Sequence, residues 1–144
     1  MTNFPAGEIY FIHAQPESNS ENAAAINEAY TEIEDAIRLA GYVALTLADV
    51  AGGHESGIAT PVLARIANAA AVIVEGTRPI DKLSLGHVFM ARNENKPILV
   101  LHQLEHTNDL VAGLRTGIRE LDIRQYAAGQ AGQLTLTYLG SEVT

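Results

Sequence analysis

Glu75 is the residue of this chain best placed for acid–base chemistry. It directly follows the apolar run Val72-Ile73-Val74 and precedes Gly76-Thr77-Arg78-Pro79. A carboxylate at the exit of a buried strand has a fixed backbone, and it can accept sugar hydroxyls or act as a base. The plainer alternative is a solvated strand-end residue or a partner for Arg78. Ser84-Leu85-Gly86-His87 comes next. Its free amides at a helix start, with a serine hydroxyl and a glycine, can seat a phosphate. Ser84 can equally be an ordinary N-cap. His87 falls in the first turn, where the helix dipole disfavours protonation. It can face a ligand as a neutral donor or acceptor, or it can simply pack. The other histidines are His13, His54, His102 and His106. His102 and His106 are four apart, but they fall in an expected loop with no companion carboxylate beyond Glu105, unlike the His-Glu-x-x-His of a zinc helix. There is no Walker motif, no Gly-x-Gly-x-x-Gly after the first strand and no Gly-x-Ser-x-Gly. Neither a dinucleotide site nor a hydrolase elbow is expected, and no metal or organic cofactor is implied.

These side chains need a frame. Ile9-Tyr10-Phe11-Ile12 reads as a buried strand. A polar loop at residues 15–20 follows. Ile26, Ala29, Tyr30, Ile33, Ile37 and Ala40 recur at helical spacing, so residues 23–40 form a helix ended by Gly41. Residues 42–47 read as the second strand, and 51–57 as a loop by composition. Thr60-Pro61 is a helix start, with threonine as N-cap, and the helix runs to about residue 68. Further strands are expected at 70–74, 98–102 and 133–139. Further helices are expected from Leu85 to about residue 93, with Ser84 as cap, and from Asn108 or Asp109 to about residue 115. Strands written as continuous apolar runs suit a parallel sheet covered on both faces. The expectation is a single α/β domain over residues 1–144. Its five-stranded, mostly parallel sheet carries helices on both faces, in a flavodoxin- or Rossmann-like three-layer arrangement. Ligands of such sheets bind beyond the carboxyl ends of the strands. That rule selects the loops at 13–20, 49–57, 75–84 and 102–108, with the site at the ends of strands one, three and four.

Composition narrows the function. The chain has 144 residues, 47% of them apolar and 18% charged, so it can bury a core. A net charge of −8 disfavours nucleic acid as a partner. No cysteine is present, which excludes disulfides, thiolate metal sites and a cysteine nucleophile. No apolar run is long enough to span a bilayer, and no signal peptide is evident. A cytoplasmic location is expected.

Three segments resemble the nucleoside 2-deoxyribosyltransferase superfamily, including its deoxynucleoside-monophosphate N-glycosidases. Ile9-Tyr10-Phe11 and the polar loop after it are similar to the family's first strand, whose exit loop lines the nucleoside pocket. Val72 to Pro79 resembles the family's Val-Val-Ala-Glu-Val-Thr-x-Pro strand exit. Ser84-Leu85-Gly86, leading to Asn95-Lys96-Pro97-Ile98-Leu99-Val100-Leu101, resembles its Ser-x-Gly turn, helix and following strand. The resemblance covers roughly residues 9–101. It implies a nucleoside or nucleotide as the small-molecule partner, no cofactor, and a homo-oligomer, dimer or higher. The family nucleophile is a glutamate that forms a covalent sugar intermediate. Here its position falls on His87 or Gly86, and the family aspartate falls on Ala70 or Ala71. The arginine-bearing first loop of the monophosphate hydrolases is replaced by His13-Ala14-Gln15-Pro16-Glu17-Ser18.

Three readings follow. An enzyme acting on an N-glycosidic bond needs a carboxylate near the anomeric carbon. Glu75, Glu17 and Asp81 are the acids on suitable loops, and Glu75 leads, with His87 beside it as a catalytic candidate. A binding module without chemistry would line its cleft with Tyr10, Phe11, His13, Gln15, Thr77, Arg78, Ser84, Gly86 and His87. An interaction role would use the alanine-rich helices for close packing.

Overall fold

Strand β1 (Glu8–His13) is an inner strand of a five-stranded sheet. The structure is a computed structural model, and it describes residues 7–14, 23–46, 59–78, 80, 82–103 and 122–141. The remaining strands are β2 (Val43–Leu45), β3 (Ala71–Glu75), β4 (Ile98–Gln103) and β5 (Asp122–Tyr126). Their order is β2-β1-β3-β4-β5, and all four pairings are parallel. The helices are α1 (Ala23–Leu39), α2 (Ala59–Asn68), α3 (Lys82–Asn93) and α4 (Ala131–Ser141).

Alternation along each strand sorts the core into two layers. Ile9, Phe11, Ala71, Ile73, Leu99 and Leu101 pack under α1 and α4, with Ile33, Ile37 and Tyr138 among the helix residues. Tyr10, Ile12, Val72, Val74, Ile98 and Val100 pack under α2 and α3, against Ile66, Val88 and Ala91. Two layers of helix enclosing one parallel sheet make this an α/β doubly wound fold, as the apolar runs predict.

Helix ends follow local chemistry. After α1, Gly41 takes φ 95° and its N–H donates to the Arg38 carbonyl, while the Tyr42 N–H donates to that of Ile37. This is a Schellman cap, and glycine fits because a Cβ is disfavoured at that φ. Asn95 repeats the arrangement after α3 at φ 57°, with its N–H on the Arg92 carbonyl and the Lys96 N–H on that of Ala91.

One expected strand is a helix. Residues 133–139 belong to α4, and the fifth strand is Asp122–Tyr126 instead. Gln133 to Leu139 looks alternating, but the buried residues of α4 are Ala131, Thr135, Tyr138 and Leu139. That is helical spacing, and it lays one face on α1. Thr135 is tolerated there because its Oγ1 donates to the Ala131 carbonyl at 2.9 Å. At Gly132 the helices approach so closely that a Cβ would lie 3.2 Å from the Glu32 carbonyl oxygen. Boundaries also shift. The second strand is shorter than 42–47, and α2 and α3 start at Ala59 and Lys82, which puts Thr60 and Ser84 in first turns rather than at caps. The expected loops at 15–20 and 51–57 and the expected helix near 108–115 lie outside the described residues.

Candidate functional site

Strand β1 lies between β2 and β3, so successive crossovers leave it in opposite directions. The crevice beyond β1 and β3 is therefore the topological switch point, where folds of this kind hold ligands. His13 ends β1, Glu75 ends β3, and the two are register partners.

Glu75 is wholly buried. It alternates with Ile73 and so lies on the α1/α4 side of the sheet. Just past the strand end, the Gly76 N–H donates to the Leu101 carbonyl at 2.8 Å, which fixes the turn that follows. The Thr77 N–H then donates to Glu75 Oε1 at 2.8 Å, and the Thr77 hydroxyl donates to the same oxygen. Thr77 Oγ1 in turn accepts from the Gln103 N–H at 3.0 Å. Oε1 is thus anchored to both β3 and β4. Oε2 is buried and makes no hydrogen bond among the described residues.

Burial disfavours the charged form of Glu75 and pushes its carboxyl up to about 7. Donation from Thr77, the polar Tyr126 hydroxyl nearby and the charge of Arg78 oppose that shift without cancelling it. A carboxyl that titrates near neutrality can both give and take a proton, which is what general acid–base catalysis uses.

His13 stacks on Tyr30 of α1, with ring centroids 4.3 Å apart and an interplanar angle of 29°. Its Nδ1–H donates to the Ala14 carbonyl at 2.7 Å, which leaves Nε2 as the acceptor of the neutral ring. A flat aromatic pair therefore flanks the strand end that carries Glu75.

His87 is elsewhere. Ser84, His87, Val88 and Ala91 are the buried residues of α3 and face the sheet from the α2/α3 side. The Tyr10 hydroxyl and His87 Nδ1 share a 2.8 Å hydrogen bond in that layer. The sheet thus separates the two expected catalytic residues: Glu75 lies on one side and His87 on the other. Tyr10→Phe removes the bond and leaves a buried ring nitrogen without it. Loss of about 1–3 kcal/mol in urea denaturation is expected.

The other expected site residues distribute accordingly. Phe11 is core beneath α1, Thr77 holds Glu75, and Arg78 is half-buried next to it. Gly86 is half-buried in α3, and a Cβ there would meet nothing within 4 Å. Gln15 lies outside the described residues, as do Glu17 and Asp81. Sequence reasoning missed Tyr126, Gln103 and Tyr30. Tyr126 ends a polar strand with no apolar run to announce it, while Tyr30 reads as an ordinary core position of α1. Among the described residues no group of three could hold a metal ion. No helix among them is long and apolar enough to cross a membrane.

No protein-family profile matches the sequence, and no curated protein matches it either. Solved structures do. The CMP N-glycosidase BcmB of Clostridium botulinum superposes with a TM-score of 0.54 at 11% identity, over 90% of this chain and 95% of that one. A response regulator receiver protein from Sinorhizobium medicae WSM419 gives a TM-score of 0.49 at 16% identity, over 92% and 96%. The NAD(P)H:quinone oxidoreductase of Methanothermobacter marburgensis gives 0.49 at 12%, over 96% and 100%. At these identities the likeness is one of fold.

Proposed function

We propose that this protein takes a nucleoside or nucleotide at the ends of β1 and β3 and cleaves or exchanges its N-glycosidic bond, with Glu75 as the acid–base group. One observation carries the reading: a buried carboxyl at the switch point, titrating near 7, with one oxygen clamped by Thr77 and the other unpaired. In hydrolysis the bond from base nitrogen to anomeric carbon breaks, and a bond to a water oxygen forms. The water gives up a proton and the departing base takes one, so one carboxyl can balance both transfers. The ionised form also opposes the positive charge that develops on the sugar. The stacked His13–Tyr30 pair offers a planar surface beside that carboxyl. The fold likeness to a CMP N-glycosidase agrees with this reading.

A second reading is favoured by His87. The family resemblance puts the nucleophile's position at His87 or Gly86, neither of them a carboxylate, and the His87 side chain is bonded to Tyr10 in the opposite core layer. On that reading the protein binds a nucleotide-like ligand and does no chemistry.

The test is to incubate the protein with nucleosides, ribo- and deoxyribonucleoside monophosphates and ADP-ribose, then to chromatograph for free base and record melting. Released base is the expected result. A raised melting temperature without released base would leave the binding module. Ligand at 100 times its dissociation constant adds about 2.7 kcal/mol, which melting detects readily. Neither response would remove both readings.

A further inference from the structure

Tyr126 is the last residue of β5, and it opposes Gln103 of β4 in register. Its ring is buried in the layer under α1 and α4. A phenylalanine would fill that volume without carrying a hydroxyl into it. The Tyr126 hydroxyl is buried and makes no hydrogen bond among the described residues. A buried hydroxyl without a partner is unfavourable, so its presence calls for a reason. The groups around it are Glu75 and Thr77 from the end of β3, Gln103 from β4 and Tyr30 from α1. Another buried oxygen without a hydrogen bond among the described residues is Glu75 Oε2, whose companion Oε1 is held by Thr77. These two polar atoms, from strands on either side of β4, thus lie buried in the same layer under α1 and α4.

We propose that Tyr126 is a positioning residue whose hydroxyl, reaching past the end of β4 from the edge strand, fixes where the free oxygen of Glu75 points. This rests on the acid–base role proposed for Glu75 above. Thr77 secures one carboxyl oxygen and Tyr126 orients the other, so the carboxyl plane is set from both sides. As a donor the hydroxyl favours the ionised carboxylate, and Arg78 adds a positive charge in the same sense. Other titratable groups described nearby are His13, across the register from Glu75, Tyr30, and on β5 itself Arg124, which is paired with Asp122.

The test does not depend on turnover. The full chain is labelled at the glutamate carboxyl carbon, and Glu75 is titrated by NMR in the wild type and in Tyr126→Phe. Removing a donor to the ionised form raises the midpoint, and a shift of about one pH unit upward is expected. An unchanged midpoint in a folded variant overturns the proposal. Should Tyr126→Phe fail to fold, 3-fluorotyrosine incorporated at position 126 keeps ring and hydroxyl while strengthening the donor. The midpoint then moves down, and no movement overturns the proposal. If the wild type releases base, Tyr126→Phe lowers kcat about tenfold with KM unchanged, and the acid limb of its pH profile moves up with the midpoint. A KM effect alone overturns the proposal. A shifted midpoint in a protein that releases no base supports the positioning of Glu75 and removes the N-glycosidic reading instead.

Discussion

Glu75→Gln abolishes release of nucleobase while leaving ligand affinity within a few-fold of the wild type. The amide is nearly isosteric with the acid. Its carbonyl still accepts from the Thr77 N–H and hydroxyl, so the bend after β3 is preserved. What is lost is the titrating oxygen and the negative charge that the proposed reaction sets against the anomeric carbon. General acid–base groups contribute about 10²–10⁴-fold, and the fall in kcat belongs in that range. Single-turnover assays with calorimetric affinities check the split. An unchanged rate would take Glu75 out of the chemistry. Weakened binding, with no product from either protein, would favour the module that binds without reacting.

The same substitution stabilises the fold, increasingly so as pH rises toward neutrality. Glu75 is fully buried, and its folded-state carboxyl titrates at about 7 against an ordinary 4.5. Between those values the native state holds a proton that the unfolded chain has released. Stability from this group is therefore full below the ordinary value and declines until pH passes about 7. The loss is roughly 3 kcal/mol, since each unit is worth 1.36 kcal/mol. Glutamine has no such proton. Its margin over the wild type should widen from about pH 5 to about pH 7 and level off beyond, as read from urea midpoints at constant salt. A margin that is flat across that range would show that Glu75 titrates normally. A stabilising change that removes activity is the usual signature of a strained functional group.

How much of this was legible depended on where the apolar residues fall. β1, β3 and β4 carry uninterrupted runs because both of their faces are covered, and each reads directly as a buried strand. Glu75 stands out because it ends one of those runs. β5 is an edge strand written Asp-Ile-Arg-Gln-Tyr. Its polarity suits an edge and hides it from any search for apolar runs. Arg124 and Asp122 within it pair through two bonds of 3.0 and 2.9 Å, an arrangement with no periodic signal. α4 misled in the opposite direction. Leu134, Leu136, Tyr138 and the intervening threonines alternate as a strand would, and only the burial of Ala131, Thr135, Tyr138 and Leu139 reveals the helix. The separation of Glu75 from His87 was also beyond sequence reading. Both fall at the expected end of the chain segments, but the face of the sheet depends on side-chain parity and on which side each crossover passes.

β5 has a further consequence for the lifetime of the site. Only Tyr126 is buried in that strand, and its other residues are half-covered or exposed. A strand held so lightly opens by local excursions, with far less free energy than global unfolding requires. Each such excursion withdraws the hydroxyl facing Glu75 while β1, β3 and β4 remain intact. On the positioning role proposed for Tyr126, the competent population would then follow fraying at one edge rather than the melting of the core. A ligand that engages Glu75 and Tyr126 together would close that edge and slow hydrogen exchange along β5, far from the atoms that react.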